Sequence, residues 1–205
     1  MKRLAKTVMP TRWGEFQMIA YANHPQEMPH LALVSGELPP EQPTLVRIHS
    51  ECMTGDVFGS VRCDCGEQLE TALRMTSEQG GVVLYLRQEG RGIGLVNKLH
   101  AYNLQDKGFD TAEANMELGF EVDSRRFDIA IGMLQDLGIR QIRLMTNNPE
   151  KLAAFQEAQV EVVERVPLII SPRQENTFYL KTKQKVMGHM LNMSMNGNGH
   201  HPDNS

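Results

Sequence analysis

No apolar run in these 205 residues approaches the ~18–20 that would span a membrane as a helix. Met1 to Met9 carry Lys2, Arg3 and Lys6 with no apolar core behind them. A secretory leader is therefore not expected, and the default compartment is the cytoplasm. Excess positive charge is also missing. The net charge is −4, and no basic stripe is interleaved with aromatics, which argues against a nucleic-acid binder. A nucleotide site is still allowed, because a few placed Arg and Lys residues hold phosphates on an acidic protein. Cysteine is scarce, with only Cys52, Cys63 and Cys65. An odd count in a chain of this kind cannot close a disulfide framework. No internal repeat is found.

What is present reads as an ordinary globular chain, 40% hydrophobic and 22% charged. Its length lets it bury roughly 70% of its unfolded surface without staples. Residues 1 to 48 look β-rich and irregular. Gly14 to Tyr21 partly alternates, Leu31 to Val34 forms a short apolar run among prolines, and Thr44 to Ile48 reads as a strand. Leu69, Ala72, Leu73 and Thr76 make a helical stripe that ends at Gly80-Gly81. Val82 to Leu86, Ile142 to Met145 and Val160 to Val166 read as strands. Helices are expected over Leu95 to Asp106, Ser124 to Leu137 and 149 to 158, the last with Pro149 at its first position. The expected class is α/β with α+β character at the N-terminus, a mixed sheet flanked by helices in one domain. The Asn- and Gly-rich tail is expected to be disordered, with His200-His201 in it as solvated residues.

The cysteines carry the strongest chemical signal. Their spacing is C-x10-C-x-C, all within a polar stretch. Thiolates are favoured zinc ligands, and three protein ligands with an open fourth position mark a catalytic site. Such a site activates water near neutral pH, although three thiolates weaken the effect by donating electron density. Two other readings stay open: His49 closes the site as a fourth ligand, or the thiols are buried core residues.

The run Arg47-Ile48-His49-Ser50-Glu51-Cys52, then Thr54-Gly55-Asp56, then Arg62-Cys63-Asp64-Cys65-Gly66 resembles the signature of GTP cyclohydrolase II. The likeness continues through Arg87 to Leu95, Ala114-Asn115, Leu118-Gly119-Phe120 and Thr146-Asn147-Asn148-Pro149, and covers most of residues 10 to 190. It implies a catalytic domain over 1–192, with a tail over 193–205. The dihydroxybutanone-phosphate-forming domain to which this module is sometimes fused is not expected within these 205 residues.

The resemblance also assigns roles. Cys52, Cys63 and Cys65 would hold Zn²⁺. GTP would be held by Arg47, Ile48, His49, Ser50, Glu51, Gln68, Glu89, Gly90, Arg91, Thr111, Thr146 and Lys151, with Mg²⁺ on the phosphates. By charge alone, Arg87 joins Arg47, Arg91 and Lys151 as a phosphate candidate. Glu51 suits the guanine edge, since a carboxylate accepts two N–H bonds. Asp123 is the implied proton acceptor and Arg125 the implied nucleophile toward the α-phosphate. A plainer role for Arg125 is electrostatic stabilisation, because guanidinium is essentially always protonated. From sequence alone, Asp123 or Ser124 also reads as a helix N-cap. Tyr102 shares a helical stripe with Leu95 and Leu99, so a core position competes with a place beside the reacting base. The implied products are formate, pyrophosphate and the diaminopyrimidinone ribosylamine phosphate that feeds riboflavin synthesis, and the implied assembly is a homodimer. Two runner-up functions are a relative that keeps the formyl group and a zinc-stabilised binding module without turnover.

Overall fold

Thr44-Leu45-Val46-Arg47-Ile48 and Val82-Val83-Leu84-Tyr85-Leu86 are rich in branched aliphatic residues, the pattern of strands covered on both faces. In the computed structural model, which describes residues 1–170 and 188–190, they become β4 (Thr44–Ser50) and β5 (Gly81–Leu86). They pair in parallel, with Val46 opposite Val82 and Ile48 opposite Leu84. β6 (Gln141–Met145) lies parallel on the other flank of β4, and β7 (Glu161–Val166) lies parallel to β6. The N-terminal strands β1 (Lys2–Thr11), β2 (Gly14–Ala22) and β3 (His30–Ser35) form an antiparallel meander, and β3 joins it antiparallel to β5. The result is one mixed seven-stranded sheet in the order β1-β2-β3-β5-β4-β6-β7. The expected class, a mixed sheet flanked by helices, is the one observed.

The period-2 geometry of the strands sorts their side chains onto two faces. Leu45, Val83 and Met145 point to one side, where they pack with Ala72 and Leu73 of α2 (Cys65–Gln79). Val46, Ile48, Val82, Leu84 and Leu144 point to the other, where they pack with Ala130, Met133 and Leu134 of α5 (Asp128–Asp136). The stripe of Ala72, Leu73 and Thr76 on α2 is buried as its spacing requires. The remaining helices are α1 (Met53–Asp56), α3 (Gly94–Gln105), α4 (Thr111–Glu117) and α6 (Pro149–Ala153). No helix among the described residues is long and apolar enough to cross a membrane.

Several boundaries differ from expectation. The helix expected from Ser124 begins only at Asp128, with Phe127 at the cap and no side-chain capping bond. The reason is local. Ser124 N donates to Arg91 O at 3.1 Å, and Arg125 N donates to Asp123 Oδ1 at 3.1 Å, so 123–125 is tied into the site instead of coiling. Asp123 and Ser124 are therefore not N-caps of this helix. The helix expected to reach 158 stops at Ala153. Phe155 N and Gln156 N then donate three residues back, the tightened pattern of a helix end. α4 was not expected, although Asp110 and Glu113 form a complete capping box at its start. Lys2 to Met9 belong to β1. The tail from 193, with His200 and His201, lies outside the described residues.

Candidate functional site

The chain leaves β4 for β5 on one side, then crosses to β6 on the other side of β4. Strand order reverses there, and a crevice at the carboxyl ends of such strands is where α/β sheets bind ligands. The residues just past the strand ends line that cleft: Glu51 and Cys52 after β4, Glu89 to Arg91 after β5, and Thr146 to Asn148 after β6.

Past the end of β4, the chain turns into α1 and brings its thiols together. The Sγ atoms of Cys52, Cys63 and Cys65 all lie within 4.8 Å of one another, and those of Cys52 and Cys63 are 3.6 Å apart. Thiolates bound to one tetrahedral zinc at about 2.3 Å stand about 3.8 Å from each other, so the spacing fits such an ion. Gly55 closes over them. A Cβ there would lie 2.9 Å from Cys63 Sγ and 3.3 Å from Cys52 Sγ. All three cysteines line the cleft, so the group is open on one side. Neither packed core cluster of the sheet includes them.

His49 is not a fourth member of this group. Its Nε2 lies 3.0 Å from Asp56 Oδ2, and its ring stacks on Tyr85 at 5.5 Å. Burial lowers the His49 pKa, so the neutral ring donates Nε2–H to the carboxylate. Asp56 also accepts from Cys52 N at 2.9 Å and from Tyr85 OH at 2.9 Å. One buried carboxylate thus fixes the start of the thiol loop.

The cleft is cationic on its other side. Arg47 is buried on the α2 face of β4. Its Nη1 donates to Met145 O at 3.0 Å and its Nη2 to Gln68 Oε1 at 2.5 Å. Burial brings its pKa down to about 10, which leaves it charged at neutral pH. Lys151 Nζ donates to Ile48 O at 2.6 Å. Ile48 itself points into the core and reaches the site only through that carbonyl. Arg91 is the single non-glycine residue with positive φ among the described residues, at φ 61°. Such a backbone costs roughly 1–3 kcal/mol and persists where surrounding structure imposes it. Here Arg91 is flanked by Gly90 and Gly92, and its carbonyl holds Ser124.

Five buried polar atoms on cleft-lining residues have no partner: Arg47 Nε, His49 Nδ1, Ser50 Oγ, Arg91 Nη1 and Asn148 Nδ2. Each such atom costs about 1–3 kcal/mol when left unpaired. Their convergence on one cleft, with N–H donors on Arg47, Arg91 and Asn148, suits it to a polar ligand rich in acceptors.

The remaining expected site residues fall around this cleft. Gln68, Gly90, Thr111 and Thr146 line it directly. Arg125 lines it as well, while Asp123 stands behind and engages it from both carboxylate oxygens, with Arg125 Nε donating to Oδ1 at 2.8 Å. Burial pushes the Asp123 carboxyl up, but the bonds and charge of Arg125 outweigh it and hold the group below its ordinary range. Glu51 Oε1 is 2.9 Å from Arg87 Nη1, and burial raises its pKa against the pull of that cation. Arg87 does not line the cleft; its place is behind Glu51. Tyr102 lines the cleft, and its phenol pKa is raised by burial. Its stripe partner Leu99 is 46% exposed, so that face of α3 is not core.

Lys98 was not singled out from the sequence. It is buried on α3, with Nζ 3.0 Å from Cys52 Sγ, 3.0 Å from Thr54 Oγ1 and 2.8 Å from Glu89 Oε1. The available signal was its place four residues before Tyr102, which puts both on one helix face. His189, in the second described segment, also lines the cleft and carried no sequence signal.

Comparison with known proteins gives the family. Residues 2–167 match the family model described as GTP cyclohydrolase II. A riboflavin biosynthesis protein RibBA from Chlorobium phaeovibrioides is 53% identical over 202 residues, 98% of this chain and 49% of that protein. A RibBA from Bacillus cereus is 54% identical over 192 residues, 93% of this chain and 48% of that one. The chain thus spans about half the length of these curated relatives. Among solved structures, RibBX, a two-domain 3,4-dihydroxy-2-butanone 4-phosphate synthase from A. baumannii, covers 80% of this chain and 40% of its own. Its TM-score of 0.45 at 21% identity is too distant to carry an argument. With the family model matching most of its length and relatives at 53–54% identity, the chain belongs to the GTP cyclohydrolase II family.

Proposed function

We propose that this protein hydrolyses GTP to 2,5-diamino-6-(5-phosphoribosylamino)pyrimidin-4(3H)-one, formate and pyrophosphate, the reaction that opens riboflavin biosynthesis. One observation carries the reading. Three clustered thiols open onto the same cleft as a set of buried cations and unpaired donors. A metal site beside an anion site is what a hydrolase needs when it cuts a nucleotide at both its base and its phosphates.

Cys52, Cys63 and Cys65 would hold Zn²⁺, whose chemistry there is Lewis-acid activation of water at the imidazole carbon of guanine. Arg47, Arg91 and Lys151 bind the triphosphate, and Arg91 offers an unpaired Nη1 for that purpose. Ser50, Gln68, Gly90, Thr111 and Thr146 complete the substrate contacts, with Ile48 contributing its backbone. Mg²⁺ accompanies the phosphates, as it commonly does with few protein ligands. Glu51 accepts the N–H groups of the guanine edge and is steadied by Arg87. The bare Nδ1 of His49 accepts a further substrate or water proton. Tyr102 orients water or a ring nitrogen beside the thiols. Its presence favours completion of the second hydrolysis, in which the formamide is cleaved and formate leaves.

Pyrophosphate departs after attack at the α-phosphorus. Arg125 stands at that step with Asp123 against its guanidinium. As a nucleophile it must first give a proton to Asp123, then bond to the α-phosphorus as pyrophosphate leaves, and finally yield the nucleotidyl group to water. As a stabiliser it donates to the phosphoryl oxygens while water attacks the α-phosphorus, with Asp123 holding its plane. The working unit in this reading is a homodimer of a 1–192 catalytic domain in the cytoplasm.

Mass spectrometry of the products from zinc-loaded protein with GTP and Mg²⁺ tests the proposal. Formate, pyrophosphate and the deformylated pyrimidine are expected. A product that keeps the formyl group contradicts the second hydrolysis. Untouched GTP with zinc still bound contradicts the enzymatic reading.

A further inference from the structure

A zinc ion with three thiolates carries a net charge of −1, and the thiols concerned sit in a largely buried pocket. A buried charge is costly unless it is paired and hydrogen-bonded. Sulfur donation also dulls the acidity that the ion confers on water, so a three-thiolate centre is poorly suited to hydrolysis unless something draws charge from the sulfurs.

Lys98 answers both needs. An ammonium has three donors and no acceptor. Those of Lys98 face Cys52 Sγ at 3.0 Å, Thr54 Oγ1 at 3.0 Å and Glu89 Oε1 at 2.8 Å. All three donors are committed, so Lys98 has none left for a phosphate, although it lines the cleft. Glu89 is engaged as well. Beyond Lys98, it accepts from Met53 N at 2.6 Å and from Gly90 N at 2.8 Å. It thereby ties the residue after Cys52 to the loop that carries Arg91.

We infer that Lys98, clamped by Glu89, is a positioning residue of the metal site, which donates to the Cys52 thiolate and offsets the charge of the three-sulfur centre. Glu89 then also joins the thiol loop to the Arg91 loop. The inference rests on the zinc reading of the cysteine cluster.

Cobalt substitution of the full chain tests it. Thiolate-to-cobalt charge-transfer bands report the energy of the sulfur lone pairs, which an N–H···S bond lowers. Lys98→Met is expected to move these bands to longer wavelength and to weaken Co²⁺ and Zn²⁺ binding by roughly 10- to 100-fold, the usual cost of losing a partner of a metal ligand. Lys98→Arg, which keeps a cation, is expected to recover part of the shift. Glu89→Gln leaves Lys98 in place but slackens the clamp, so a smaller shift in the same direction is expected. A folded Lys98→Met protein with unchanged bands and unchanged metal affinity overturns the inference. If that variant does not fold, unchanged bands and affinity in Glu89→Gln overturn it instead. If wild-type protein shows no thiolate-to-cobalt band at all, the zinc reading itself fails, an outcome distinct from the other two.

Discussion

The two halves of the sheet divide the labour. β4, β5 and β6 run parallel, are largely buried, and release their chain into the cleft at their carboxyl ends. β1 to β3 form an antiparallel meander that lines no part of that cleft, and β1 is exposed along most of its length. Parallel strands all end on the same edge, so residues distant in sequence converge there. Antiparallel strands alternate their ends and cannot gather a site this way. Chemistry therefore collects where topology reverses, at β4, and the meander serves to widen the sheet and cover its core.

The comparison breaks most visibly at the thiols. Cys63→Ser is expected to abolish formate release and to lose stoichiometric zinc by elemental analysis, with far-UV circular dichroism unchanged. Pyrophosphate release that survives in this variant would separate the two chemical halves of the site. Arg125→Ala is expected to lower pyrophosphate release by on the order of 100- to 1,000-fold, the scale for removing one donor from a developing charge. Normal pyrophosphate release in that variant rules out a role at the α-phosphorus.

Stability sharpens the same contrast. Leu84→Ala in β5, at a fully buried position, is expected to cost about 2–5 kcal/mol in urea unfolding. Val8→Ala in β1, where the side chain is 56% exposed, is expected to cost less than about 1 kcal/mol. Equal costs would contradict the division between a buried centre and an exposed edge.

The smallest effect concerns acid. Asp123 is held below its ordinary 3.8 by Arg125 against the opposing effect of burial. The unfolded chain then takes up this proton first as pH falls, so the contribution of Asp123 is complete above about 4 and is lost as pH drops toward the folded value. Asp123→Asn is expected to flatten that acid limb in the pH dependence of the urea midpoint. An unchanged limb counts against the pairing.

Much of the site was legible because its chemistry is local in sequence. Arg47 to Ser50 end a strand whose apolar run is plain, Glu51 and Cys52 follow it directly, and the Thr146 turn follows another. Buried strands were legible for the same reason. What sequence reasoning missed depends on tertiary bonds. Ser124 pairs with the Arg91 carbonyl, which delays α5 to Asp128 and turns an apparent N-cap at Asp123 into a guanidinium partner. Lys98 reads as a solvated helix residue until the fold sets it against Cys52 and Glu89. Arg87 reads as a phosphate ligand by charge, yet its guanidinium is turned to Glu51. β1 escaped notice because an exposed edge strand carries no apolar alternation.

The most direct test is a zinc titration of chelator-stripped protein, with formate release from GTP as the readout. The account predicts a linear rise to one equivalent of zinc per chain and then a plateau, with Cys63→Ser remaining at zero throughout. Full formate release from metal-free protein would contradict it.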